Sequence, residues 1–224
     1  DFRSQCQGLF DQIGRVLDDH GLSVQQLLRT WIYLRDLDLD YGVLNEVRNA
    51  CFAEWGVTYL PASTGIEGGT HPTTWRICAD VCIGWGDNLD EIDEMHGESL
   101  GNAFDYGSAF SRGLCVQRMD RTLLYVSGTA SIDTEGNVVH VGDIEGQCRR
   151  MLDNVEALLR PHGATLADSI NAVTYLKQRQ FLPVFEQVCR ERGVPADLLN
   201  TIVVADVCRP DWLCEIELTA VLTA

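Results

Sequence analysis

Two glutamates close to the C-terminus are the residues best suited to chemistry. Glu215 and Glu217 lie in the stretch 212–218, whose alternation predicts a β-strand that carries both carboxylates on one face. Burial on an apolar sheet face raises the pKa of a carboxyl group, as an acid catalyst at neutral pH requires. Glu215 could equally be a surface or interface carboxylate paired with an arginine. We expect Glu217 to be structural, bonded to backbone or to a neighbouring subunit.

Two arginines and their neighbours could bind an anionic ligand. The guanidinium groups of Arg112 and Arg209 match a carboxylate bidentately. Tyr106 and Ser111 flank Arg112 and could hydrogen-bond the same ligand, while each of these residues could instead make a structural hydrogen bond or salt bridge. Cys208, next to Arg209, could be reactive or a buried small hydrophobic residue.

The composition limits the classes of partner. The net charge is -16, with 17 Lys and Arg against 33 Asp and Glu, which argues against a nucleic-acid or anionic-membrane surface. If the ligand is a small anionic molecule, a few local arginines must overcome this unfavourable overall charge. Nine cysteines without CxxC pairs favour a reduced, cytoplasmic protein. No apolar run is long enough to cross a bilayer, and no phosphate-binding or hydrolase motif is present.

The first helical pattern of the chain returns 142 positions later. Gln5 is matched by Gln147, and the helices end in the same pair, His20-Gly21 in one copy and His162-Gly163 in the other. The register continues without a gap through the following strand, where Tyr33-Leu34 is matched by Tyr175-Leu176. This agreement predicts an internal duplication.

Each copy is predicted as helix, strand, helix, a short strand near 61–64 or 195–197, and a closing strand. The strands are 27–34 and 170–176, the second helices 41–55 and 181–192, and the closing strands 76–84 and 213–222. The second copy has three more predicted strands in front, at 110–118, 123–132 and 138–141. Residue 1 corresponds to residue 143, so we expect the opening strands of the first copy to be absent or replaced by a partner. The predicted units are 1–84 and 106–224, joined by a linker at 85–105.

Motifs of the second copy carry a family resemblance. They are Ser127-Gly128-Thr129-Ala130, Gly142-Asp143 with Gln147, Asn154-Val155, Gly163-Ala164, Tyr175-Leu176 and Glu215-Ile216-Glu217. Together they resemble the RidA/YjgF family over residues 110–224. The resemblance implies an α+β chain of two fused RidA/YjgF-like (chorismate-mutase-like) units, each a mixed sheet backed by two helices, the first lacking its opening strands. It also implies a homo-oligomer, either a trimer or a pseudo-trimer, with ligand sites in the clefts between units.

A narrower resemblance covers both copies. It is carried by Arg29-Thr30-Trp31, the segments 61–66, 106–112 and 127–132, Cys208-Arg209 and Cys214-Glu215. These residues are similar to the chorismatase family, in which two RidA-like units are fused and one cleft is active. The resemblance implies cleavage of chorismate, an enolpyruvyl ether, to pyruvate and a dihydrodiol or hydroxybenzoate. No metal or organic cofactor is implied.

The chorismatase resemblance assigns roles to individual residues. Glu215 becomes the general acid that protonates the terminal methylene of the enol ether, and Arg112 and Arg209 bind the two carboxylates. Gly128 and Ala130 allow close approach of backbone and ligand. In the family, a small residue at the position of Ala130 is associated with simple hydrolysis, and a cysteine at the position of Cys208 is associated with the formation of 3-hydroxybenzoate. This chain has both features, so the resemblance does not decide the product.

The sister strand indicates which copy is active. When Cys78 is aligned with Cys214, Ala79 stands at the position of Glu215, so the acid belongs to the second copy alone.

Two alternatives stay open. A RidA-type imine or enamine deaminase needs an arginine eight positions before Glu215, where this chain has Val207, so Arg209 serves only with a gap of two. The other alternative is a non-catalytic member of the superfamily that binds a small molecule or a protein, which an apolar cleft would favour.

Overall fold

The computed structural model describes residues 1–85 and 91–223, without the side chains of residues 105 and 106. The helices are α1 (Phe2–Asp19), α2 (Leu37–Trp55), α3 (Ile144–Leu159) and α4 (Leu182–Glu191). The strands are β1 (Leu27–Leu34), β2 (Ala62–Glu67), β3 (Ile77–Ile83), β4 (Glu91–Glu94), β5 (Gly113–Gln117), β6 (Arg121–Ala130), β7 (Ser169–Leu176), β8 (Leu199–Val204) and β9 (Cys214–Thr223). Short 3₁₀ turns lie at Val24–Gln26, Ala103–Tyr106, Arg160–His162, Leu166–Asp168 and Arg179–Phe181.

The first helices of the two copies begin in the same way. The carboxylate of Asp1 accepts a hydrogen bond from the backbone N–H of Ser4 and caps α1, at 2.8 Å. Asp143 caps α3 in the same manner through the N–H of Gly146, at 3.0 Å. Each capped helix buries an apolar stripe against its own sheet, which gives each copy a hydrophobic core of its own.

The two sheets repeat the same strand pairing around β1 and β7. The first sheet has the order β2-β1-β3, and the second has the order β4-β5-β6-β9-β7-β8. β1 is parallel to β2 and antiparallel to β3, as β7 is to β8 and β9. Even the bulge between Leu27 and Arg29 recurs between Ser169 and Asn171, 142 positions later. The predicted α+β fold of two fused units is therefore confirmed.

The two sheets differ beyond their closing strands. In the second sheet β6 pairs with the outer edge of β9, whereas within residues 1–85 and 91–223 no strand pairs with the outer edge of β3. The first unit thus has three strands and lacks counterparts of the opening strands β5 and β6, as predicted.

Three details differ from the sequence prediction. The strand predicted at 138–141 is wrong: Val138 makes only an isolated bridge to Ile132, because His140 adopts a left-handed backbone (φ 58°) and the chain turns into α3. Part of the predicted linker, residues 91–94, is β4 and extends the second sheet, while residues 86–90 lie outside the described residues. The strand predicted after the second helix of the second copy, near 195–197, lies a few residues later and is β8.

The nine cysteines all lie within the described residues and are free thiols. No helix in the described part of the chain is long and apolar enough to cross a membrane.

Candidate active site

A cavity of about 270 Å³ lies where the two units meet. The first unit contributes side chains from α2 and the backbone of β2, and the second contributes β6, β9 and the segments before β5 and β9. The described lining residues are Tyr41, Asn45, Arg48, Ser63, Gly65, Ser108, Phe110, Arg112, Gly128, Cys208, Arg209, Trp212 and Glu215. Five of the eight predicted site residues lie on this wall: Arg112, Gly128, Cys208, Arg209 and Glu215.

Polar contacts between backbone and small hydroxyl residues join the units beside the cavity. The backbone N–H of Ser63 donates to Ser127 Oγ at 2.9 Å, and the N–H of Gly128 donates to Thr64 Oγ1 at 3.1 Å. Ser127 Oγ in turn donates to the carbonyl of Ser111 at 2.7 Å. These short side chains let β2 and β6 approach closely, so residues of both units can face one ligand.

Glu215 lies on β9 between β6 and β7, opposite Ala130 and Tyr175. Its side chain is buried, and within the described residues its Oε2 atom has no hydrogen-bond partner. Burial raises its pKa to about 8, with a further contribution from the charge of Glu217, while Arg112 acts in the opposite direction. The group is therefore a neutral carboxylic acid at pH 7, although it faces a polar cavity.

Gly128 makes the room that this carboxyl group occupies. A Cβ atom at position 128 would lie 2.0 Å from Glu215 Oε1 and 3.1 Å from Thr64 Cγ2. A real Cβ contact of that length does not occur, so any larger residue at position 128 would have to displace the carboxyl group.

Glu217 has a different environment on the same strand. Arg29 donates to its Oε2 at 2.9 Å, Trp31 Nε1 donates to its Oε1 at 2.7 Å, and the hydroxyl of Thr64 donates to Oε2 as well. All three donors belong to the first unit of the same chain. Glu217 thus makes structural contacts, as predicted. Its partners, however, are side chains of the same chain rather than backbone groups or a neighbouring subunit.

Arg48 is a buried guanidinium in the cavity wall. Its Nη2 donates to Asn45 Oδ1 at 2.6 Å and the side chain is hydrogen-bonded to Tyr41. Its Nε has no hydrogen-bond partner, and within the described residues it forms no ion pair with a carboxylate. Burial lowers its pKa from the ordinary value. A buried cation without a counter-ion is costly, so this position is prepared for an anion.

Arg112 and Arg209 stand on other parts of the wall. Arg112 is buried and donates from Nε to the carbonyl of Gly101 at 2.8 Å. Arg209 donates to the carbonyl of Gly136 and lies over the ring of Trp212, with 5.2 Å between the guanidinium carbon and the ring centroid. The indole N–H of Trp212 is buried and has no partner in the described part of the chain. The described wall of the cavity therefore contains three guanidinium groups, despite the acidic charge of the chain.

Cys208 faces the same cavity as a neutral thiol. Its Sγ donates to the carbonyl of Gly65 at 3.1 Å. Burial and the charge of Glu215 raise its pKa to about 12, whereas a hydrogen bond from Tyr41 and the charge of Arg48 lower it. A thiol with this pKa is not a thiolate nucleophile at neutral pH.

Three predicted residues do not lie on the described wall of this cavity. Ala130 pairs with Glu215 across the strands but is packed in the core of the second unit. Ser111 lines a neighbouring cavity of about 460 Å³, where its buried hydroxyl has no described partner. The side chain of Tyr106 lies outside the described residues.

The ladder register also corrects the predicted alignment of the closing strands. Tyr175 is opposite Glu215, and its repeat counterpart Tyr33 is opposite Cys78 rather than Ala79. The equivalent of Glu215 in the first unit is therefore Cys78. The prediction was shifted by one residue, because the matching cysteines suggested a register that the strand pairing does not have.

Sequence reasoning missed the contribution of α2. Tyr41, Asn45 and Arg48 share one face of the helix, at a spacing of four and three residues, and all three line the cavity. The helix is capped by Asp36 at its start and by Gly56, which has a left-handed backbone, at its end. A row of polar side chains at helical spacing, ending in an arginine, was the available signal.

Within the described residues, no group of three His, Cys, Asp or Glu side chains is placed to hold a metal ion.

Comparison with known proteins agrees with this architecture. A crystal structure of a chorismatase superposes with a TM-score of 0.82 and 24% identity, covering 96% of this chain and 69% of the other. At this identity the match establishes the fold. The curated 3-hydroxybenzoate synthase of Streptomyces hygroscopicus is 36% identical over 104 residues, which cover 42% of this chain but only 30% of that protein.

Two further matches concern the second unit. The 3-aminoacrylate deaminase RutC of Acinetobacter baylyi is 31% identical over 94 residues, covering 42% of this chain and 75% of the deaminase. The sequence model of the family described as endoribonuclease L-PSP matches residues 101–222. These matches confirm the resemblance to RidA-like proteins and to chorismatases that the sequence motifs indicated. Because this match covers more than half of the 224 residues and spans β5 to β9 with both helices of the second unit, the chain belongs to the endoribonuclease L-PSP family.

Proposed function

We propose that this chain is a chorismatase-like enzyme that cleaves the enolpyruvyl ether of chorismate to pyruvate and a ring product. The observation that carries the proposal is Glu215, a buried carboxylic acid with an unpartnered oxygen on the wall of a polar cavity. A buried polar atom without a partner costs about 1–3 kcal/mol, so its retention beside an open cavity indicates a function.

The first chemical step assigned to Glu215 is proton transfer to carbon. Its carboxyl proton goes to the terminal methylene of the enol ether, which becomes a methyl group, and positive charge develops on the ether carbon and oxygen. Water adds to the ether carbon and gives up a proton. The resulting hemiketal passes its hydroxyl proton to the ring oxygen as the bond between the ether carbon and that oxygen breaks, which leaves the carbonyl group of pyruvate. Pyruvate and the ring alcohol leave, and the proton lost by water restores Glu215.

Arg112 supports the charge that this step creates. Its positive charge favours the ionised form of Glu215, so it stabilises the carboxylate left after proton transfer. Burial opposes ionisation, and the two effects leave a pKa near the working pH, which is the most useful value for a general acid.

Three guanidinium groups suit a substrate with two carboxylates. Arg48, Arg112 and Arg209 line one cavity, whereas a ligand with a single carboxylate needs only one such group. Arg48 belongs to the first unit and the other two belong to the second. We therefore assign the binding of the two carboxylates to both halves of the chain.

Cys208 is assigned a role as a neutral hydrogen-bond donor rather than a nucleophile, because its pKa is raised to about 12. The two possible ring products differ in mass by one water molecule, since a hydroxybenzoate has the composition of the dihydrodiol after elimination of water. Mass spectrometry of the ring product assigns the route directly.

A RidA-type imine or enamine deaminase is the second candidate. Arg209 lines the same cavity as Glu215, as that reading requires, and a curated deaminase is among the relatives of the second unit. A non-catalytic binding protein has less support, because polar and charged side chains dominate the described cavity wall.

The partner expected for this chain is a further copy of itself, as a trimer or pseudo-trimer. Strand β2 is largely buried because the second unit covers it, whereas its counterpart β8 exposes Leu199, Ile202 and Val204 by 76%, 37% and 54%. An apolar strand that is exposed in one unit and covered in the other favours a homo-oligomer. Light scattering of the purified protein measures the number of copies.

The proposed reaction is tested by following pyruvate release from chorismate with lactate dehydrogenase and NADH. The protein is expected to release one pyruvate per chorismate. Absence of pyruvate from the folded protein would contradict the proposal. Ammonia release from 2-aminoacrylate, measured in parallel, would then favour the deaminase.

A further inference from the structure

A buried tryptophan, Trp212, is fixed in place just before the closing strand β9. The side chain of Gln147 brackets it, because Nε2 donates to the carbonyl of Asp211 and Oε1 accepts from the N–H of Leu213, both at 2.8 Å. The backbone N–H of Trp212 donates to the carbonyl of Arg209 at 3.1 Å. Trp212 is 8% exposed and belongs to the core of the second unit, yet it also lines the cavity. These contacts fix the backbone that carries its indole ring.

The first unit repeats this arrangement away from the cavity. Gln5 brackets Trp75 with the same two hydrogen bonds, at 3.3 Å to the preceding carbonyl and at 2.8 Å from the following N–H. Trp75 is 52% exposed and is not on the described wall of the cavity. The bracketed tryptophan is therefore a feature of both units, whereas its burial beside the cavity is a feature of Trp212.

The indole N–H of Trp212 is a buried donor that has no acceptor in the described part of the chain. Trp31 provides the contrast, because its buried indole N–H donates to Oε1 of Glu217 at 2.7 Å. Buried indole groups usually have such a partner, and a buried donor without one is costly. A phenylalanine would pack in the same core position without that cost. An acceptor that enters the cavity with a ligand explains why the N–H is present.

This donor suits an oxygen atom that carries no net charge. An indole N–H is neutral and has a single proton to donate, whereas a carboxylate is matched better by the fork of a guanidinium group. In the proposed reaction the dihydrodiol carries such oxygens as hydroxyl groups, and one of them is the former ether oxygen of the substrate. A site built to hydrogen-bond a hydroxyl group rejects a ligand that lacks it, because the buried donor then stays unpaired.

We propose that Trp212 is a ligand-binding residue whose indole N–H donates to a ring oxygen, and that this hydrogen bond makes the cavity select hydroxylated rings over unsubstituted ones. The inference rests on the proposed function for the identity of the natural substrate. The hydrogen bond itself is tested with two inert aromatic probes, 3,4-dihydroxybenzoate and benzoate, which both carry one carboxylate and differ only in their hydroxyl groups.

The first test observes the donor directly by NMR. Protein labelled with ¹⁵N gives an indole signal for each of its five tryptophans, and the signal missing from Trp212→Phe is that of Trp212. Addition of 3,4-dihydroxybenzoate should move this indole proton downfield as the hydrogen bond forms, while the signal of Trp75 keeps its position. Benzoate should move the Trp212 signal much less. A proton that does not move, or that moves equally with both probes, would overturn the proposal.

The second test measures what the hydrogen bond contributes to affinity. Dissociation constants of both probes are determined by calorimetry for the wild type, Trp212→Phe and the matched control Trp75→Phe. Trp212→Phe should weaken 3,4-dihydroxybenzoate about tenfold and benzoate less than about threefold, since only the first probe loses a hydrogen bond. Trp75→Phe should leave both constants unchanged.

Four results of the affinity measurement would contradict the role of Trp212. They are an unchanged affinity in Trp212→Phe, equal weakening of both probes, equal effects of the two substitutions, or no binding of 3,4-dihydroxybenzoate to the wild type. Thermal melting shows whether each variant is folded, and Trp212→Met replaces Trp212→Phe if the latter is not.

A kinetic measurement separates this inference from the proposed reaction. With chorismate, Trp212→Phe should raise KM about tenfold and change kcat by less than about threefold, as expected for loss of a contact made equally in the ground state and the transition state. If the wild type releases no pyruvate but 3,4-dihydroxybenzoate still shifts the indole signal, the proposed reaction fails and the role of Trp212 stands. A fall in kcat at unchanged KM would contradict that role.

Discussion

The closing strands of the two units have the same place in their sheets but different chemistry. β9 carries Glu215 and Glu217 where β3 carries Cys78 and Asp80, as the pairing with the two repeat-related strands shows. Asp80 is hydrogen-bonded to Tyr33, and Cys78 is a half-buried thiol. The strand register is therefore the same in both units. Of these two strands, only β9 carries a carboxyl group with an unpartnered buried oxygen, that of Glu215.

The first unit contributes to the same cavity in a different way. Its helix α2 presents Arg48 to the cavity that Glu215 of the second unit also lines, and its strand β2 lies beside Gly128. One unit thus supplies the proton donor and the other supplies part of the anion-binding wall. The cavity is complete only where both units are present. Arg29, Trp31 and Thr64 of the first unit hold the two units together through their hydrogen bonds to Glu217.

Replacing the acid should have the largest effect. Glu215→Gln removes the transferable proton and retains size and polarity, so kcat for pyruvate release should fall by about 10²–10⁴-fold, the usual contribution of a general acid. A coupled pyruvate assay measures it. Activity within threefold of the wild type would remove Glu215 from the mechanism.

The other carboxylate on β9 should affect stability more than the chemical step. Glu217→Gln leaves Arg29 buried without its counter-ion, so the free energy of unfolding should fall by about 3 kcal/mol. Denaturation with urea measures this loss. If Glu217→Gln instead leaves stability unchanged and abolishes kcat, the two carboxylates have been assigned the wrong way round.

Removing the arginine of the first unit should weaken substrate binding. Arg48→Met preserves the apolar part of the side chain, and KM for chorismate should rise about 10- to 100-fold with a smaller change in kcat. Arg15→Met on the exposed face of α1 makes the same change in net charge and should leave KM unaltered. Equal effects of the two substitutions would indicate a general charge effect rather than a binding site.

The raised pKa of Glu215 predicts a pH-dependent difference in stability. The folded protein binds this proton up to about pH 8, whereas the unfolded chain releases it near 4.5. The free energy of unfolding of the wild type, relative to Glu215→Gln, should therefore be highest below pH 4.5. It should fall by about 1.4 kcal/mol for each pH unit between 5 and 8. Urea denaturation of both proteins across this range tests the slope, and a constant difference would contradict the burial of an unpaired acid.

The sequence predicted those features that have a local or repeated signal. The 142-residue repeat predicted both units, and the alternation around Glu215 predicted its strand. Arg48 was missed because the meeting of α2 and β9 at one cavity depends on how the two units pack, which a helical pattern does not encode. Cys78 was misaligned because a shift of one residue exchanges the two faces of a strand, and only the ladder fixes that register.

Other residues predicted for the site show the same limit of sequence-based prediction. Arg209 and Cys208 could be assigned to a cleft from motifs alone, but the orientation of the thiol toward Gly65 depends on a loop conformation. Ala130 was expected near the ligand because it ends a strand of small residues, yet its side chain is packed in the core. Position along a strand is readable from sequence, whereas the face it presents at a bulge, as between Val126 and Thr129, is not.

The protonation state of Glu215 is the most direct test of the contrast between the two carboxylates of β9. Titration of protein labelled with ¹³C at the glutamate carboxyl carbons, followed by NMR in the wild type and in Glu215→Gln, isolates the signal of this residue. A resonance that titrates near pH 8 and is missing from the variant is the expected result. A Glu215 resonance that titrates near 4.5 would show an ordinary carboxylate, which could not donate a proton to an enol ether at neutral pH.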